Sequence, residues 1–266
     1  MRRIRLAVKI LGTLIKDRMY HPDRLISDTF AIVARCGVVL VLYRYVFQLK
    51  GGVVNGIGYD VVAWSMFIYF SFSVFRLRDI SRAIMEDVKS GNVEVLFNKP
   101  ISYLAYRAWW QIGSGAYSFL VTAIFGGLVL AACVGIPESM RLSLFVPSLL
   151  LTYIGAIALS LALYAIVGLA AFWMEEINPL FWMVDKAVMI LGGSYLPVAM
   201  FPPFMYRLAV WSPFGASQFV SHSVYGSWRT DWLGLLSIQA FWIVLLSAAV
   251  IAMYAGARKR VSINGG

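Results

Sequence analysis

Apolar runs of bilayer length recur from one end of this chain to the other. A helix needs about 20 consecutive apolar residues to cross the hydrocarbon core. Residues 26–49, 59–75, 108–134, 142–174, a stretch opening at Leu180 and residues 232–257 all read this way. Little is left for a separate soluble domain. The chain is 61% hydrophobic and 14% charged, whereas soluble domains sit near half and a quarter. The pattern predicts an all-α polytopic membrane protein, one domain over residues 1–266, with six transmembrane helices.

A net charge of +10 raises the question of nucleic acid. The distribution answers it. Sixteen of the 23 Lys and Arg fall in residues 1–24, 76–107 and 258–260. That is how cytoplasmic loops look under the positive-inside rule, and no basic stripe interleaved with aromatics exists elsewhere. We therefore expect membrane lipid and no nucleic acid as partner, and a cell (inner) membrane location with both termini cytoplasmic. Cys36 and Cys133 sit in apolar runs and read as buried hydrophobes. His21 and His222 are solitary, so no metal site is expected.

Residues 1–22 do not read as a signal peptide, because Lys9 and Lys16 interrupt the apolar stretch and no small-residue cleavage site follows. Ile4, Ala7, Val8, Leu11, Leu14 and Ile15 recur at helical spacing, with Arg2, Arg5, Lys9 and Lys16 opposite. This predicts an interfacial helix, ended by His21-Pro22-Asp23.

Residues 79–102 break the hydrocarbon pattern. Asp79 is a natural N-cap. Ile80, Ile84 and Val88 follow at a four-residue spacing with Met85 beside them, and Arg82, Glu86 and Lys89 take the other face. Gly91-Asn92 stops the helix, "VEVLF" adds a short apolar piece, and Pro100 closes the unit. Such an elbow either rests on the bilayer or docks a partner. The fifth run is also interrupted. Gly192-Gly193 arrives after a dozen residues, and residues 192–230 are rich in Pro, Gly and aromatics, which predicts a broken span followed by short helices on the outer side.

The order of these parts resembles a type-2 ABC exporter permease: interfacial helix, two spans, cytoplasmic coupling helix, four more spans with the fifth broken. In "DVKSGNVEVLFNKPIS", Gly91, Glu94, Leu96, Pro100 and Ser102 match the family pattern. In "GGSYLPVAMFPPFMYRLAVWSPF", Gly193, Pro197, Phe201, Pro202, Pro213 and Phe214 match. Within that family it looks like the short permeases that travel as paired subunits with one ATPase. "SQFVSHSVYG" departs from the pattern, lacking the Pro expected before its Gly.

The resemblance implies a translocation path shared with a second permease subunit, identical or similar. It also implies that an ATP-hydrolysing subunit is contacted through the elbow, with Ile80, Ile84, Met85, Val88, Gly91 and Glu94 as coupling residues. ATP and Mg would belong to that partner. This chain contains no Gly-Lys-Ser/Thr phosphate loop, so no cofactor and no catalytic residue are expected in it. Glu94 is expected to tie the elbow to neighbouring spans through Arg78, Arg82 or Arg107.

Arg35, Tyr43, Phe67, Phe70 and Trp182 are candidates for the translocation path. Intramembrane charge is costly, which singles out Arg35, Arg44 and the adjacent Asp185 and Lys186; the last two read as snorkelling or mutually paired. Glu175-Glu176 reads as a solvated turn. The competing function is a secondary transporter or channel subunit without an ATPase, which usually buries coupling carboxylates at broken helices. An intramembrane enzyme lacks any assembled catalytic grouping.

Overall fold

The computed structural model describes residues 2–20, 22–54, 56–97, 101–141 and 144–264. Three points of the sequence reading fall outside them: His21, Pro100 and the start of the fourth run at Leu142.

The described residues are all-α apart from one small hairpin. Helix α1 spans Arg2–Tyr20 and α2 spans Pro22–Leu49, with a proline in its first turn, where the missing N–H costs nothing. A two-residue hairpin follows, β1 (Val53–Val54) and β2 (Ile57–Gly58), paired antiparallel with Val54 opposite Ile57. Gly56 at φ +76° supplies the left-handed turn such a hairpin needs. Residues 50–58 read as a plain turn from the sequence, although "VVNGIG" carries the hairpin signal.

Next come α3 (Tyr59–Ser73), α4 (Asp79–Lys89), α5 (Asn92–Phe97), α6 (Tyr103–Val121) and α7 (Gly127–Val134). A single π-helical turn, Thr122–Gly126, joins α6 to α7 without breaking the rod. Helix α8 (Phe145–Leu169) and α9 (Asn178–Leu191) are followed by four short pieces: a 3-10 turn, Val198–Met200, then α10 (Pro203–Trp211), α11 (Pro213–Ala216) and a second 3-10 turn, Phe219–Val224. Helix α12 runs Trp228–Asn264.

Among the described residues, three helical rods are long and apolar enough to cross a membrane: Tyr103–Val134, Phe145–Phe172 and Trp228–Arg260. The expected second and fifth spans are shorter. Helix α3 has 15 residues and α9 has 14, about 22 Å each at 1.5 Å per residue. Within α2 the apolar stretch is Cys36–Leu49.

Helix α3 is buried on every side from Val62 to Phe72, because helices surround it and its residues are apolar all round. With Tyr43, Phe47, Leu130 and Tyr225 it forms one core; a second joins Ile84, Leu159, Phe181 and Phe219. Glycines set the close approaches. A Cβ on Gly115 of α6 would sit 2.6 Å from the Phe75 Cα, and one on Gly113 would sit 2.8 Å from Leu14 Cδ1 of α1. Helix α1 thus packs its apolar side on α6.

The ends of α8 and α12 show their relative direction. The Trp228 indole donates to Ser148 Oγ at 2.9 Å near both N-termini, and Arg260 Nη1 donates to Phe172 O at 2.9 Å near both C-termini. The two helices are therefore parallel, and the chain between them must return along their length.

Candidate functional site

Two features stand together at one end of the molecule: the elbow formed by α4 and α5, and a cavity lying against its first residue.

The elbow begins with a sharp reversal. Arg76 adopts φ +50°, and Gln111 Nε2 donates to the carbonyls of Phe75 and Arg76 at 3.1 and 3.0 Å. A side chain of α6 thereby fixes the corner between α3 and α4. Asp79 is the first helical residue rather than the cap, the capping position being Arg78. Its carboxylate still sits at the positive end of the helix dipole. At the other end Gly91 takes φ +74° and terminates α4, as the sequence predicts.

The apolar side of α4 is turned into this chain. Ile80 and Ile84 are 2% and 0% exposed. A Cβ on Gly168 of α8 would sit 2.9 Å from both Ile84 Cδ1 and the Ser81 Cα. Ile80 and Ile84 are consequently core residues and cannot contact a partner. Met85 and Val88 are half-buried against the same core, while Gly91 and Glu94 are exposed. The outward surface comprises Arg82, Glu86, Lys89, Ser90 and Val95 with those two.

Four attachments hold the elbow. Asp87, which the periodicity reading leaves out, is buried. It accepts from the Tyr103 hydroxyl at 2.6 Å, from Arg107 Nε at 2.7 Å and from Arg107 Nη2. This bidentate pair is the tie that sequence reasoning assigns to Glu94; Arg107 belongs to Asp87 instead. Arg82 lays its guanidinium 4.5 Å from the Phe181 ring centroid in α9. Lys89 reaches Glu176 at 3.2 Å. Glu176 is held below the usual carboxylate range by the Asn178 backbone N–H, then by the Lys89 ammonium. Last, Arg78 Nη1 lies 3.3 Å from both Asp185 oxygens, and the Tyr164 hydroxyl donates to the same carboxylate at 3.1 Å. Asp185 pairs with Arg78 and not with the neighbouring Lys186.

Asp185 leads into a cavity of about 570 Å³ lined by α2, α3, α8, α9 and the chain beyond the break, among them Phe70, Ser160, Tyr164, Trp182, Lys186 and Gln218. The break is as expected: α9 ends at Leu191 and Gly193 takes φ +88°. Of the path candidates, Phe70 and Trp182 line this cavity. Tyr43 lies beside it, its hydroxyl donating to the Tyr195 carbonyl at 2.8 Å. Phe67 does not line it: it sits edge-on to Trp64 beneath Gly126. The Arg35 side chain lies outside the described residues. No grouping of metal-ligand type is present among the described residues.

No known family model matches the chain, and no curated protein matches it significantly.

Proposed function

We propose that this chain is the transmembrane subunit of an ATP-binding-cassette exporter, coupled through its elbow to a separate ATPase subunit and forming half of a translocation path with a second permease chain. One observation carries the reading. A short charged helix is clamped to α6, α8 and α9 by its apolar side and its salt bridges, and its other face is left outward. A lever that transmits force needs this stiffness, since coupling travels through packed elements with discrete arrangements.

Further features support it. The parallel pair α8 and α12 requires a return crossing between them, which α9 and its broken continuation supply. On this reading α2, α3 and α6–α7 are the other crossings, six in all, and the Lys/Arg distribution supports cytoplasmic termini and a cytoplasmic elbow. The exposed Phe241, Val244, Leu245 and Ile251 of α12 suit lipid contact. Affinity purification from native membrane in mild detergent is the test. A polypeptide carrying a phosphate-binding Gly-Lys-Ser/Thr loop should co-purify in stoichiometric amount; repeated purification without one contradicts the reading.

A second reading, a secondary transporter, is favoured by one feature: Asp185 is a buried carboxylate on a helix that breaks beside a cavity. Uptake into liposomes driven by an imposed pH gradient, lost in Asp185→Asn, would establish it instead.

A further inference from the structure

The cavity beside the elbow carries donors that its own acid does not use. Asp185 engages only Nη1 of Arg78. A guanidinium has five N–H donors, and those on Nε and Nη2 meet no acceptor among the described residues. The Arg78 side chain is 45% exposed, against 3% for Asp185, so the open edge of its fork is accessible.

Lys186 lines the same cavity. Its ammonium lies 5.3 Å from the Trp182 ring centroid, with no carboxylate in ion-pair reach among the described residues. Ser160 is a third, independent feature. It lines the cavity from α8, is 3% exposed, and its hydroxyl has no hydrogen-bond partner. Phe70, Phe72 and Val188 form an apolar stretch of the wall, with Ser73, Arg76, Ser194 and Gln218 among the rest of the lining.

The volume of about 570 Å³ falls in the usual range for small-molecule sites, roughly 300–1,000 Å³. A neutral apolar ligand would displace water from the fork and the hydroxyl without supplying acceptors, which is costly. An organic cation would have to take Asp185 from Arg78 and Tyr164 while lying beside Lys186. A planar carboxylate or a phosphate instead fits two parallel N–H groups of an Arg fork.

We propose that this cavity binds an amphiphilic anion. Its carboxylate or phosphate-monoester head rests on the Nε–Nη2 edge of Arg78 and on Lys186, and its apolar body lies along Phe70 and Phe72. Because Arg78 is the residue immediately before α4, an occupied cavity bears directly on the start of the elbow. As a substrate assignment this rests on the transport reading above; as a binding site it is tested without any ATPase.

The experiment is equilibrium binding of radiolabelled laurate to the full chain purified in maltoside detergent, with competitors of matched chain length. Dodecyl phosphate should displace laurate, whereas dodecanol and dodecyltrimethylammonium should not. A separate arm with dioleoyl phosphatidate tells a lipid headgroup from a free amphiphile: displacement by phosphatidate assigns the site to lipid, and its failure assigns it to the free anion. Lys186→Gln and Arg78→Lys should each weaken laurate about tenfold, the scale of one charge-assisted hydrogen bond. Lys186→Arg should retain affinity, and all variants should elute as the parent does, which separates lost binding from lost folding. Saturable laurate binding unchanged in both weakening variants overturns the proposal, as does equal displacement by the cationic amphiphile.

Discussion

Asp87 is the residue on which the elbow's attachment turns. Its carboxylate accepts from Tyr103 and from two nitrogens of Arg107, and the pair is largely out of water, with side chains 6% and 19% exposed. Removing one member of such a pair strands the other, at about 3 kcal/mol or more. Asp87→Asn should therefore lower stability to SDS titration by about 3 kcal/mol, while Glu86→Gln on the outward face should change it by under ~0.5 kcal/mol. Equal effects would remove Asp87 from its place in the account. Glu176 is a different case, exposed and tied by weak contacts. Because its folded pKa is depressed, its contribution is present above the ordinary carboxylate pKa and fades as pH falls through the lowered one. Carboxyl NMR should show Glu176 titrating below the ordinary value. In Lys89→Met the midpoint should rise but stay depressed, since the Asn178 N–H remains; a midpoint unmoved by Lys89→Met would show that the pair does not form.

At the scale of elements, the contact of α4 with α8 decides whether the elbow moves as one body with the crossing helix. Gly168 allows it, because any side chain there meets Ile84 and the Ser81 backbone. Gly168→Ala should cost about 1–3 kcal/mol by overpacking. Ile84→Ala should cost about 2–5 kcal/mol by leaving a cavity. The double variant should be less destabilised than the two losses added together, because the smaller side chain at 84 makes room for the new methyl. SDS titration of all four proteins measures this coupling, and strict additivity would mean that α4 and α8 do not bear on each other here. The elements themselves were legible to unequal degrees. Gly91 and Gly193 announced their breaks because only glycine takes a positive φ cheaply after a helix. The inward turn of Ile80 and Ile84 was not legible, since periodicity marks an apolar face without saying what covers it. Asp87 escaped for a related reason: its partners lie 16 and 20 residues downstream on another helix, where no local spacing rule reaches. Asp185 was singled out as an intramembrane charge but read as snorkelling or paired with Lys186; its burial and its partner were not legible, because Arg78 is 107 residues away.

At the scale of the whole molecule, the elbow presents two unlike surfaces. The inner one, with Ile80 and Ile84, belongs to this chain's own core; the outer one, with Glu86 and Val95, is left to water or to a partner. Val95 is 65% exposed, a large aliphatic residue beside charged ones. The measurement that bears most directly on the central claim is site-specific photo-crosslinking in native membrane, with a diazirine amino acid placed in turn at positions 84, 86 and 95. Positions 86 and 95 should crosslink to a polypeptide carrying an ATPase phosphate loop, and 84 should crosslink only within this chain, to α8. Crosslinks from 86 and 95 to lipid alone, with no ATPase peptide recovered, would contradict it and leave the elbow as an amphipathic segment lying on the bilayer.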